Sequence, residues 1–241
     1  MVLPGVFHAV IDRRHLLIPL KQKAGMLKEI TSERFKNGVL DGLLEKGWFR
    51  MYDTMFTTST IQVAADEHDV FWFRYDVHRI NYGRRQKDII NKNKNFTLRY
   101  QPLILTEEME QLFALYKDSK PFVGYHSLVS AFISGIGVFD TWVVTVRDEH
   151  KRLIAIGFFD KGTESIAGIM NAYHPEYEKY SPGKFLLLAK IYFCRRNKLR
   201  WYYPGYIMKP PSRFDYKLFP DKAASQVYTG GVWAPYNEWA P

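Results

Sequence analysis

The chain has 241 residues, 34 Lys and Arg against 25 Asp and Glu, and a hydrophobic fraction of 46%, which is typical of globular domains. Its formal net charge of +9 favours partners that carry phosphate, because clustered cations displace counterions from polyanions. The single cysteine, Cys194, excludes an internal disulfide and a thiolate metal cluster, so the compartment that we expect is the reducing cytoplasm.

The first apolar run of the chain is short and is broken by charged residues, so we expect no signal peptide. No later apolar run is long enough to cross a bilayer, and we expect no membrane partner. Met26 begins a segment that resembles an ordinary protein start. Residues 1–25 are therefore expected to be an extension.

Helical and extended patterns alternate in the N-terminal part. Residues 31–46 are predicted to form a helix, because Val and Leu recur there at helical spacing and Gly47 can end it. β-branched and aromatic residues dominate residues 49–63 and 70–80, which predicts a hairpin with its turn at residues 66–69.

Three helices are predicted in the middle of the chain. Residues 84–95 carry basic side chains at helical intervals and predict a short basic helix. Thr106 is placed to cap a second helix whose first turn holds Glu107 and Glu108, where the helix dipole favours acids. A third helix is expected near residues 128–133.

The clearest pattern lies in the C-terminal part. Apolar segments separated by polar turns predict an antiparallel meander over residues 141–147, 152–160 and 165–173. Ser181 is then expected to cap an apolar helix with Pro182 at its first position, and residues 200–207 are again strand-like. Three strands, a helix and a fourth strand are the skeleton of the GNAT acyltransferases.

The predicted fold class is therefore α+β, a GNAT-like acyltransferase with a mixed, largely antiparallel central sheet flanked by helices. Residues 1–100 hold the leader, helix, hairpin and basic helix, and residues 101–241 hold the acyltransferase core. No repeat or low-complexity linker separates the two parts, so we expect one continuous structural unit.

Several short blocks resemble one family when they are read in chain order. They are residues 47–50, 82–95, 160–165, 171–175, 179–184, 202–207 and 214–217. Together they resemble the arginyl- and leucyl-tRNA–protein transferases. Pro182 stands where the family has Leu in its Ser-Leu-Gly helix start, and only Tyr216 and Lys217 match the family's Lys-Met-x-Tyr-Lys signature.

This resemblance implies transfer of an amino acid from aminoacyl-tRNA to the N-terminal α-amine of an acceptor protein with an acidic first residue. Arginine is the expected donor and leucine the alternative. Aminoacyl-tRNA is the co-substrate, and no cofactor is expected because its ester is already activated. Residues 1–46 lack the family's N-terminal cysteine cluster, so no metal site is expected and the transfer chemistry is better supported than the acceptor.

Two residues are candidate catalytic residues. Asp160 ends a predicted strand, where its carboxylate can accept a proton from the attacking ammonium. Tyr206 lies at the end of the last strand and can present its hydroxyl to the donor. The alternatives are a solvated turn carboxylate and a packing tyrosine.

The donor is expected to bind around the start of the helix after the meander. Free backbone amides and the charge of Lys184 there suit a phosphate or the terminal ribose, and Gly205 permits close backbone approach. A plain helix cap is the alternative. The residues assigned to donor binding are Tyr173, Tyr180, Ser181, Gly183, Lys184 and Gly205.

The basic helix is expected to contact the tRNA backbone, because RNA helices are recognised mainly through phosphates and shape. The residues assigned to this contact are Arg84, Arg85, Lys87, Lys92 and Lys94. A basic helix face that is only solvated is the alternative.

Two other functions stay open from sequence. One is a GNAT N-acetyltransferase that uses acetyl-CoA on a small amine or peptide, although the chain lacks the longer Gly-rich loop that binds the coenzyme A pyrophosphate. The other is a non-catalytic RNA-binding relative of the fold.

Overall fold

A nine-stranded sheet organises the part of the chain that the computed structural model describes, which is residues 28–30, 34–63, 66–120, 124–209 and 213–239. The helices are Asn37–Glu45 (α1), Arg84–Lys92 (α2), Glu107–Asp118 (α3), Leu128–Phe132 (α4), Pro182–Arg196 (α5) and Tyr236–Trp239 (α6). The strands are Lys28–Ile30 (β1), Phe49–Met51 (β2), Thr54–Thr57 (β3), Thr60–Val63 (β4), Asp66–Asp76 (β5), Thr97–Pro102 (β6), Thr141–Arg147 (β7), Leu153–Lys161 (β8), Ser165–Tyr173 (β9), Trp201–Lys209 (β10), Ser225–Thr229 (β11) and Val232–Pro235 (β12).

The large sheet has the spatial order β12, β11, β5, β10, β9, β8, β7, β6, with β4 paired to β5, and β1, β3 and β2 form a separate small sheet. Every described pair in the large sheet is antiparallel except β9 with β10. A parallel pair needs a crossover connection, which α5 supplies. The predicted α+β class with a largely antiparallel sheet and flanking helices is confirmed.

The elements from β7 to α5 follow the sequence prediction closely. The meander of β7, β8 and β9 is confirmed, and α5 begins at Pro182 as predicted. The predicted side-chain cap by Ser181 is wrong, because its side chain accepts no capping hydrogen bond. Ser181 has φ of 54°, in the left-handed region, whereas a capping residue normally has extended backbone angles.

The predicted turn at residues 66–69 is also wrong. These residues are the first part of β5, where Val63 pairs with Asp66 and Thr60 with Asp69. Acidic residues disfavour strands in general, but Glu67 and Asp69 are exposed, so their charges stay in water while the backbone completes the ladder.

Strand β5 joins the two halves of the sequence. It lies between β10 and β11, so the N-terminal part contributes an internal strand to the sheet of the C-terminal part. Asp41 on α1 adds a second link, because its carboxylate accepts the backbone N–H groups of Thr163 and Glu164 at 2.8 and 3.1 Å. No helix within the described ranges is long and apolar enough to span a bilayer.

Candidate active site

A cleft of about 790 Å³ opens where β9 and β10 part. The two strands pair only as far as Ala167 and Tyr203. The ladder between β8 and β9 shifts at the same level, which leaves Ile169 outside both ladders. The described residues that line the cleft are Tyr116, Lys120, Gly124, Tyr125, Gly168, Ile169, Met170, Asn171, Tyr173, Glu178, Ser181, Pro182, Gly183, Lys184, Leu187, Lys190, Tyr202, Pro204, Tyr206, Tyr216 and Lys217.

Lys190 lies on the α5 side of the cleft and is only 1% exposed. Its Nζ donates to the Phe158 carbonyl oxygen and to Asn171 Oδ1, both at 2.9 Å. Burial lowers the pKa of Lys190 to about 7. Gly157 leaves the necessary room, since a Cβ there would lie 3.0 Å from Lys190 Cε. Lys190 Nζ thus contacts β8 at Phe158, where the register between β8 and β9 shifts.

Lys217 lies on the β10 side and is 7% exposed. Its Nζ donates to the backbone carbonyl oxygen of Tyr206 at 2.7 Å. Burial lowers the pKa of Lys217 to about 7, and the Asp215 carboxylate raises it by a smaller amount. Gly205 has φ of 101°, and a Cβ there would lie 3.3 Å from Lys217 Nζ, so glycine suits both the backbone and the space.

The structure brings several predicted residues together at this cleft. Its lining includes Tyr173, Ser181, Gly183, Lys184 and Tyr206. Of the other predicted donor and catalytic residues, Gly205 lies between Pro204 and Tyr206, which both line the cleft. The carbonyl oxygen of Tyr180 is bound by Asn93 just before α5. Asp160 is not among the described lining residues.

Asp160 is fully buried and forms an ion pair with Arg50, with 2.9 Å between Oδ1 and Nη1. Thr141 Oγ1 donates to the same carboxylate oxygen at 2.6 Å. Burial raises the pKa of Asp160, and the Arg50 charge and the Thr141 hydrogen bond oppose this effect. Among the described residues, Asp160 Oδ2 has no hydrogen-bond partner. The alternative interpretation of Asp160 as a solvated turn carboxylate is therefore wrong. Its catalytic role stays a prediction.

The basic helix α2 is held against the segment that leads into α5. Asn93 Nδ2 donates to the Tyr180 carbonyl oxygen at 2.9 Å, and Lys92 Nζ donates to the Lys179 carbonyl oxygen at 3.0 Å. All five side chains assigned to tRNA contact are exposed: Arg84, Arg85, Lys87, Lys92 and Lys94. The exposed positive charge therefore adjoins the cleft at the start of α5.

Sequence reasoning assigned no role to several polar residues of the cleft, among them Lys190, Tyr216 and Asn171. It gave Lys217 only as a residue that could line the mouth of the site or form a salt-bridged loop. A signal was present for Lys190, which is a single charge within the apolar run of α5. A signal was also present for Tyr216 and Lys217, because they are the two residues that match the Lys-Met-x-Tyr-Lys signature.

No group of three or more His, Cys, Asp or Glu side chains within the described ranges is placed to hold a metal ion. Lys120 and Glu178 form an ion pair at the cleft with 2.7 Å between Nζ and Oε1. This pair leaves the described lining with three further lysines and no further carboxylate.

Comparison with known proteins bears on this cleft directly. The family model described as "Arginine-tRNA-protein transferase, C terminus" matches residues 25–221, a span that includes both walls. The aspartate/glutamate leucyltransferase of Helicobacter hepaticus is 24% identical over 209 residues, which cover 81% of this chain and 84% of that protein. The one from Campylobacter jejuni is 22% identical over 219 residues, 88% of each chain.

Among solved structures, FemX is similar with a TM-score of 0.48 and 7% identity, over 87% of this chain and 71% of that one. The family match rests on sequence and covers most of the chain, including the strands, helix and turn that form the cleft. The chain therefore belongs to the arginine-tRNA-protein transferase family and is an acyltransferase.

Proposed function

We propose that this chain transfers an amino acid from aminoacyl-tRNA to the N-terminal α-amine of a protein that begins with Asp or Glu. The observation that carries the proposal is the cleft between β9 and β10, which adjoins the start of α5 and the exposed basic face of α2. The aspartate/glutamate leucyltransferases that the chain resembles support the same reaction.

The donor is assigned to the β9 side of the cleft. The backbone of Ile169 has no strand partner in either ladder, so its N–H suits the carbonyl oxygen of the aminoacyl ester. The first amides of α5 and the charge of Lys184 suit the terminal phosphate or ribose. Tyr206 lines the opposite wall of the cleft, and we retain it as the proposed catalytic contact with the donor.

The reaction needs positioning more than activation. The α-amine nitrogen forms a bond to the ester carbonyl carbon, and the bond from that carbon to the ribose oxygen breaks. The nitrogen loses one proton and the ribose oxygen gains one, so the exchange balances without a further reactant. Holding amine and ester together contributes several kcal/mol, roughly 7–11 in favourable cases.

We propose leucine as the donor, although the sequence favoured arginine. The described lining holds four lysines and one glutamate, and Lys120 already pairs with that glutamate, Glu178. An arginyl guanidinium placed there would meet like charges, which are destabilising. Ile169, Met170 and Leu187 supply apolar surface for a leucyl side chain.

The test offers the purified chain labelled leucyl-tRNA, arginyl-tRNA and acetyl-CoA separately, with peptides that begin with Asp, Glu, Lys or Arg. Label is expected from leucyl-tRNA on the Asp and Glu peptides. Label from arginyl-tRNA alone would overturn the donor assignment, and label from acetyl-CoA alone would overturn aminoacyl transfer. No label from any donor would favour the RNA-binding relative.

Reversing the charge of the α2 face is expected to weaken tRNA binding. The double variant Arg84→Glu/Arg85→Glu removes two exposed cations, so the slope of log affinity against log salt is expected to flatten by roughly 1–2. Filter binding across a salt series measures this slope. Arg84→Lys/Arg85→Lys keeps the charge and is expected to bind like the wild type, and an unchanged slope in the Glu variant would remove α2 from the interface.

For Asp160 we propose a positioning role in place of direct proton transfer. Its carboxylate holds Arg50, whose Nε donates to the Tyr52 carbonyl oxygen at 2.6 Å. The Tyr52 ring packs edge-on against Tyr125, which lines the cleft, with 5.3 Å between ring centroids. Asp160 thus reaches the cleft through three other residues, namely Arg50, Tyr52 and Tyr125.

A further inference from the structure

The two walls of the cleft differ in charge. The wall formed by β9, the turn after it and α5 holds Glu178, Lys184 and Lys190. The opposite wall is formed by β10 and the 3₁₀ helix Arg213–Leu218. It contributes five described lining residues, which are Tyr202, Pro204, Tyr206, Tyr216 and Lys217. Of these five, only Lys217 has a side chain that becomes a cation when it is protonated. A charged group that enters along β10 therefore meets this side chain.

The position of the Lys217 ammonium is fixed before any ligand binds. Its hydrogen bond to the Tyr206 carbonyl oxygen sets one direction, and its Nζ lies 4.9 Å from the centroid of the Tyr206 ring. Gly205 leaves room for it on the backbone side, since a Cβ there would lie 3.3 Å from Nζ. A side chain that is only 7% exposed loses little further freedom when a partner arrives, which favours binding.

A carboxylate is the partner that this environment favours. Burial disfavours the charged form of Lys217 more strongly than the Asp215 carboxylate favours it, and a further carboxylate at hydrogen-bond distance would shift the balance toward the charged form. Charge-assisted hydrogen bonds are also stronger than neutral ones where water is excluded. An exposed lysine would gain less from the same ligand.

We propose that Lys217 binds the side-chain carboxylate of the acceptor's first residue and selects Asp and Glu over their uncharged analogues. The inference rests on the proposed function, in which the donor occupies the β9 wall and the acceptor amine approaches along β10. It gives this chain a means of reading an acidic acceptor within the acyltransferase core.

The test compares peptides that differ only in an N-terminal Asp or Asn. Lys217→Gln removes the charge and keeps a donor for the Tyr206 carbonyl oxygen. Loss of one charged hydrogen bond is expected to reduce the Asp-over-Asn preference roughly 10- to 100-fold. The ratio between the two peptides is the readout, because Lys217 also contacts Tyr206 and its loss can lower transfer to both peptides. Both kcat/KM with leucyl-tRNA and the peptide Kd by calorimetry are measured.

Two matched variants separate selection from a general role. Lys217→Arg keeps a cation and is expected to retain much of the preference. Lys190→Met removes the buried lysine of the opposite wall, and it is expected to lower transfer to both peptides by the same factor. If Lys217→Gln does not fold, Lys217→Met takes its place with the same expected ratio.

An equal loss for the Asp and Asn peptides in the Lys217 variants would overturn the proposal, and so would an unchanged ratio. Failure of the wild type to transfer any amino acid would instead overturn the proposed function. The calorimetric ratio would still test Lys217 in that case, since it needs no turnover.

Discussion

Replacing Arg50 with methionine is expected to lower the free energy of unfolding by about 3–5 kcal/mol, because it leaves the buried Asp160 carboxylate without its cation. The guanidinium also lies 4.2 Å above the Phe139 ring centroid and fills the space beside Gly135, so packing is lost as well. Urea denaturation at neutral pH measures the change.

The double variant Arg50→Met/Asp160→Leu is the matched control. It removes both charges together and is expected to be more stable than Arg50→Met, since no unpaired charge stays buried. A further variant, Asp160→Asn, addresses catalysis. If Asp160→Asn abolishes transfer while the free energy of unfolding stays unchanged, the direct catalytic role predicted from sequence is right and the positioning role is wrong.

The free energy of unfolding is expected to increase as the pH rises from about 7 to about 10, by at most about 4 kcal/mol for each buried lysine. Lys190 and Lys217 have pKa values lowered from 10.5 to about 7 by burial. In this window the unfolded chain binds protons that the folded chain does not, so higher pH favours the folded state. Below the window both states are protonated and the full cost of burial is present.

Lys190→Met is expected to reduce this pH slope, and it isolates one of the two lysines. Thermal unfolding at pH values across the window measures it, with Lys87→Met as a control at an exposed position that should keep the wild-type slope. At still higher pH the trend is expected to reverse, because burial raises the pKa of tyrosines such as Tyr202. An identical slope in Lys190→Met and the wild type would contradict the lowered pKa.

The elements that sequence predicted well are those with strong local signals. The β7 to β9 meander has polar turns at both of its connections, and α5 has a proline at its first position and basic residues at its end. The start of β5 was missed because its acids are tolerated only where the ladder with β4 leaves them in water. That condition depends on tertiary structure.

The same distinction holds for the cleft. Ser181, Gly183 and Lys184 were found because a helix start is visible in the local sequence, and they do line the cleft. The burial of Lys217 was not predicted, because it depends on how β10 and the segment that holds Lys217 fold back on each other. The environment of Asp160 depends on Arg50, 110 positions earlier in the chain, and no local pattern indicates that pairing.

The central position of β5 limits how the chain can be divided. A fragment that lacks residues 66–76 would leave the facing edges of β10 and β11 without a partner, and open strand edges promote aggregation. We therefore expect a fragment of residues 101–241 to be insoluble when it is expressed alone. Co-expression with residues 28–100 should restore solubility. During synthesis β5 leaves the ribosome long before β10 and β11, so its edges stay without strand partners until those two strands have emerged.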